Sequence, residues 1–215
     1  MKSFKTLLLF FSISTLSISC ASLSGLQTGR TVGKGNGQLG LSLNTNKTPD
    51  FDTDEEDELY FLVPSVEFSG TYGITEKFDL SFKANTLFNV GLDAKVQVVG
   101  DQTSQFALSL GGGVGIFGFI AGTGALYNFQ IPLYTSFHPS ENFTFYVTPR
   151  YIGQVGTSFG ESSDLLNYTG ANMGVLFGKK VQFGLDLGIY DFSYNGGSNP
   201  LVQFGVGVKF NFFKK

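Results

Sequence analysis

From residue 38 to residue 213 apolar and polar side chains alternate along most of the chain. The segment FNVGLDAKVQV shows this most plainly: Phe88, Val90, Leu92, Ala94, Val96 and Val98 stand opposite Asn89, Gly91, Asp93, Lys95 and Gln97. Near the C-terminus Val202, Phe204, Val206, Val208, Phe210 and Phe212 alternate with Gln203, Gly205, Gly207, Lys209 and Asn211. Successive side chains of a strand point to opposite faces, so each such run predicts a strand with one apolar and one polar face. The pattern predicts about ten strands, at 38–43, 58–74, 78–85, 88–98, 106–116, 126–138, 143–155, 165–178, 181–190 and 201–213. In 165–178 the phase slips near Tyr168 and recovers at Ala171, which predicts a bulge. Hairpin residues mark short turns near 75–77, 100–105, 139–142 and 178–180. These alternate with connections near 44–57, 86–87, 117–125, 156–164 and 195–200, of which the first and fourth are the longest.

The alternation leaves open which face meets water. A soluble sandwich or calyx turns its apolar face inward and covers the outside with Lys, Glu and Thr. Here charged residues are 14% of the chain, against roughly 25% in an average soluble domain. The polar face is mostly Gly, Ser, Asn, Gln and Thr, with about one charge per strand. Small residues suit the inside of a narrow barrel, and the 24 Phe suit a circumference where lipid sets no packing limit. Tyr72, Phe78, Phe106, Phe137, Phe143, Phe177, Phe183 and Phe212 all fall on the apolar face beside a short turn or the C-terminus, as an interfacial girdle would. The apolar face is therefore expected to point outward.

With that orientation, residues 37–213 resemble a small bacterial outer-membrane β-barrel. The fold implied is all-β: an antiparallel up-and-down transmembrane barrel of about ten strands, with 8–12 compatible with the pattern. The ending GVKFNF, with Gly207, Phe210 and Phe212, resembles the C-terminal signal read by the barrel-assembly machinery, and departs from it in carrying Lys214 and Lys215 afterwards. The resemblance implies contact with outer-membrane lipid and lipopolysaccharide, a location in the bacterial outer membrane, and a monomer. Short turns would face the periplasm and the longer loops the exterior.

Residues 1–19 are expected to be a signal peptide, with Lys2 and Lys5 before an apolar run at 6–18 too short to span a bilayer. Cys20, the single cysteine, stands where cleavage would occur. Its placement resembles a lipoprotein lipobox, with Ser17 in place of the usual Leu, so Cys20 is expected to carry the mature N-terminal lipid. An ordinary signal peptide cut near Ser19 or Ala21 is the alternative. Residues 20–36, small and polar, are expected to be a flexible lead-in.

Little in the sequence suggests chemistry. The one histidine, His138, falls in a predicted periplasmic turn and is expected to be solvated. No His and Cys spacing fits a metal site, and no cofactor is implied. The acidic run at 50–58 places Asp50, Asp52 and Asp54 at the first spacings of a calcium loop. Glu55 stands where that loop needs Gly, and Phe61 where it needs Glu, so at most weak divalent-cation binding is expected. A net charge of −3 and the lack of a basic patch argue against nucleic acid.

The expected function is therefore non-enzymatic: a barrel whose lumen is closed by paired charges, acting in envelope structure or surface interaction through its loops. The alternatives are a narrow channel or transporter for a small solute and, further off, a soluble calyx-type lipid-binding lipoprotein. The inward charges are Glu67, Asp79, Asp93 and Asp186 against Lys83, Lys95, Arg150 and Lys209. Counting out from the connections places Asp79 beside Lys95, Asp186 beside Lys209, and Glu67 near Lys83. Tyr134 and Tyr146 are expected to project inward too.

Overall fold

A computed structural model of the chain describes residues 23–48, 61–117, 125–158, 161–162, 165–194 and 197–212. The strands are β1 (Gly37–Thr48), β2 (Phe61–Thr75), β3 (Phe78–Asn85), β4 (Asn89–Val99), β5 (Phe106–Phe117), β6 (Ala125–Ser140), β7 (Phe143–Ser158), β8 (Glu161–Ser162), β9 (Leu166–Phe177), β10 (Val181–Tyr194) and β11 (Gly197–Phe212). Ten of them pair with both neighbours in an antiparallel up-and-down barrel, which β1 closes by pairing with β11. The two-residue β8 extends the ladder at the end of β7. Closure removes the free edges that an open sheet would expose to lipid.

The faces divide as the alternation requires. Leu92, Val114 and Phe183, each more than 60% exposed, look outward, whereas Asp79, Gln154 and Gln203 are fully buried. An outer surface of Leu, Val, Ile and Phe over a polar interior suits a bilayer and is the reverse of an apolar calyx. Most strands have 11 to 16 residues; β3, with 8, is the shortest of the barrel strands. At one end of the barrel lie the short turns, and around it stand the exposed aromatics Tyr72, Phe106, Phe137, Phe177, Phe183 and Phe212. Phe143 packs on Phe177 there, with ring centroids 5.3 Å apart.

The bulge expected near Tyr168 is not present. The ladders of β9 with β7 and with β10 run through residue 168 without a break. Tyr168 is instead an inward aromatic, fully buried in the lumen. Register shifts occur at Gly73/Thr75, Gln97/Val99 and Phe137/Ser140, all at the short-turn end.

The turn after β4 is tied by Asp101. Its carboxylate accepts hydrogen bonds from the hydroxyls and backbone amides of Thr103 and Ser104, which hold its pKa down at about 2. A depressed carboxylate stabilises above its unfolded value, near 3.9, and its contribution disappears as pH falls through about 2. A carboxyl NMR titration should therefore give Asp101 a midpoint near 2. A midpoint near 4 would show the turn unformed.

Candidate functional site in the barrel lumen

Residues 23–36 are not the flexible lead-in expected from composition. They run through the lumen as an irregular segment from the middle of the barrel to the short-turn end, where they lead into β1, with a tight turn in which Gln27 N–H donates to Gly25 O (2.5 Å). At 33–35 the path bends beside Gly73: Gly35 N–H donates to Gly73 O (2.8 Å), and Gly73 N–H to Asn36 O (3.0 Å). Gly33 and Gly35 both have positive φ there (81° and 76°), the left-handed conformation that glycine takes without steric cost.

A segment without a strand partner must find other partners for its backbone. The barrel wall supplies them from side chains. Asp186 Oδ2 accepts from Gly25 N–H (2.9 Å), Ser136 Oγ from Gly29 N–H (2.9 Å), Gln97 Oε1 from Thr31 N–H (3.0 Å) and Asp79 Oδ2 from Val32 N–H (3.0 Å). Lys95 Nζ donates to Thr28 O (3.2 Å) and Arg30 O (2.8 Å), and Ser109 Oγ to Gly29 O. Arg150 Nη2 (2.6 Å) and Asn172 Nδ2 (2.9 Å) both donate to Leu23 O. Two leucines enter apolar nests in an otherwise polar wall. Leu23 packs with Ile152, Tyr168, Tyr190, Phe192 and Leu201, and Leu26 with Tyr146 and Leu176. Inward Tyr168 and Leu176, which break the outward apolar pattern, are there to receive these leucines.

The inward charges thus do two jobs. Asp79 and Lys95 face each other across β3 and β4 and form an ion pair of 3.3 Å, while both also hold the luminal segment. Lys83 pairs with Asp93 at 3.3 Å. Glu67 faces Asn85, one step along the inward face from Lys83, and both line a small cavity with Lys209 and Gln27. Tyr134 and Tyr146 are buried inside, with Lys95 Nζ 5.7 Å from the Tyr134 ring centroid.

Two expectations are corrected. Asp186 does not sit beside Lys209. It lies opposite Gly205, because the β10–β11 ladder continues to Tyr194↔Gly197 and leaves two residues, not a six-residue loop, between the strands. Its carboxylate is held by Gly25 N–H, by Tyr146 OH (2.6 Å) and by Asn172 Nδ2 (2.8 Å). Nor is His138 solvated. β6 continues past it, and His138 is buried between Ser136 Oγ and Thr144 Oγ1, each 2.8 Å from a ring nitrogen. Ser136 Oγ also accepts from Gly29 N–H, and a hydroxyl's second lone pair and its proton allow it to meet either tautomer of the His138 ring. The trio supports the luminal segment.

Among the described residues no group of three His, Cys, Asp or Glu could hold a metal ion. Cys20 and the acidic residues Asp50, Asp52 and Asp54 lie outside the described residues.

No family model and no curated protein matches this sequence. Its architecture is that of bacterial outer-membrane barrels. Solved structures like it include Ail, the attachment invasion locus protein of Yersinia pestis. That protein is 11% identical, with 83% of this chain and 99% of that one covered and a TM-score of 0.35. An outer membrane channel from Pseudomonas putida F1 is 7% identical over 89% and 98%, with a TM-score of 0.46. The outer membrane protease OmpT of Escherichia coli is 10% identical over 89% and 100%, with a TM-score of 0.45. These likenesses are of architecture alone.

Proposed function

We propose that this chain is a non-enzymatic barrel of the bacterial outer membrane whose lumen is closed by its own residues 23–36, and which acts in envelope structure or surface contact through its loops. The supporting observation is the set of wall side chains bonded to the backbone of residues 23–32. Acceptors from Asp186, Ser136, Gln97 and Asp79 meet the amides of Gly25, Gly29, Thr31 and Val32, and donors from Arg150, Lys95 and Ser109 meet carbonyls. A ten-stranded barrel has a narrow bore well below that of the sixteen-stranded porins, and a polypeptide with its bonded side chains takes up much of it. The charge pairs Asp79–Lys95 and Lys83–Asp93 neutralise four of the eight inward charges named above.

Two measurements test this reading. The protein should remain in the membrane pellet after alkaline carbonate and migrate anomalously on gels unless boiled; release into the supernatant would contradict an integral barrel. In a planar bilayer the wild type should give no steady single-channel conductance. Such conductance would favour the second reading, a narrow channel for a small solute, which the polar lining would serve once the luminal segment left.

A further inference from the structure

The contacts of residues 23–32 have the character of ligand recognition. Most of the wall bonds go to backbone N–H and C=O groups, which any extended peptide carries. Specificity comes from two apolar nests and two close approaches. Leu23 and Leu26, three residues apart, fill the nests. A Cβ on Gly25 would fall 2.2 Å from Asn172 Cβ, and one on Gly29 would fall 2.3 Å from Ala107 O. The wall thus reads a backbone with leucines three residues apart, glycine just before the second leucine and again three residues after it, and small or polar residues at the buried positions of Ser24 and Gln27. At the short-turn end the lumen is crossed by residues 33–36, anchored on Gly73. An incoming peptide therefore arrives from the opposite end.

We propose that the lumen is a peptide-binding site, with residues 23–32 as its resident occupant. When that segment is withdrawn, the site takes in trans a peptide with the same leucine and glycine spacing. This rests on the closed-lumen reading above, and the experiment separates the two.

The full chain carrying Leu23→Glu and Leu26→Glu places two charges where apolar nests wait and should release the segment. A variant lacking residues 23–32 serves as the second form, and both are checked for heat-modifiable migration. The probe is a synthetic, fluorophore-labelled peptide of residues 22–32. In planar bilayers the released forms should conduct, and the peptide should block them when added from the end opposite residues 33–36. Fluorescence anisotropy should show saturable binding to the released forms and little to the wild type. A peptide with alanine at both leucine positions should bind at least about tenfold more weakly, given the apolar area lost. If folded released forms do not conduct, the closed-lumen reading fails and this proposal with it. If they conduct but the peptide neither blocks nor binds, or its scrambled sequence does so equally well, the peptide-site proposal alone is overturned.

Discussion

Asp79→Leu, with Lys95 left in place, is expected to lower the unfolding free energy by roughly 3–5 kcal/mol. Asp79 is fully buried, and its carboxylate answers both the Lys95 ammonium at 3.3 Å and the Val32 amide at 3.0 Å. Removing it leaves a charged ammonium and a backbone donor inside the wall. Lys95 would still reach Thr28 O and Arg30 O, which offsets part of the loss but not the charge. Adding Lys95→Met should recover part of the stability, so the double variant should be less destabilised than the sum of the two single ones. The comparison is a urea unfolding series in lipid vesicles, followed by the gel shift of the unboiled protein. Additive losses would show that the two side chains do not depend on one another.

Gly29→Val is expected to act on closure more than on the barrel. The new Cβ would meet Ala107 O at 2.3 Å and Tyr134 O at 2.9 Å, both backbone atoms of the wall that cannot rotate away. Overpacking of this kind commonly costs about 1–3 kcal/mol, and here the segment can escape the cost by leaving. The ladders of the barrel do not involve residue 29. The variant should therefore keep its heat-modifiable migration and gain steady conductance in planar bilayers. Conductance as low as the wild type's, with the fold intact, would mean that the luminal segment tolerates the valine in place or does not close the pore.

The barrel was legible because its signal is repeated ten times with a period of two, and lipid outside and polar groups inside enforce the same phase in every strand. The Asp79–Lys95 neighbourhood followed from the short connection after β3, which leaves little room for register to shift. The Asp186 partner was misplaced because the apolar pattern fades at Asn199 and Pro200, while backbone pairing continues to Tyr194↔Gly197. His138 was misplaced for a related reason: Pro139 and Ser140 look like a turn, yet a register shift at Phe137/Ser140 carries the strand through. Residues 23–36 gave no periodic signal at all. They are small because the lumen is crowded, and their bonds come from wall side chains far away in sequence. The traces they leave are indirect. Gly25, Gly29, Gly33 and Gly35 recur, and Tyr168 and Leu176 face inward against the apolar pattern of their strand.

The location of residues 23–36 is tested most directly by the reactivity of a single thiol. In a Cys20→Ser background, Ser24→Cys replaces a buried hydroxyl with a group of nearly the same size, 4% exposed inside the lumen. A membrane-impermeant maleimide, followed by mass spectrometry, should leave this thiol unmodified in the folded protein and modify it fully after unfolding. Modification of the folded protein as fast as that of the unfolded chain would place the segment outside the lumen and contradict the account.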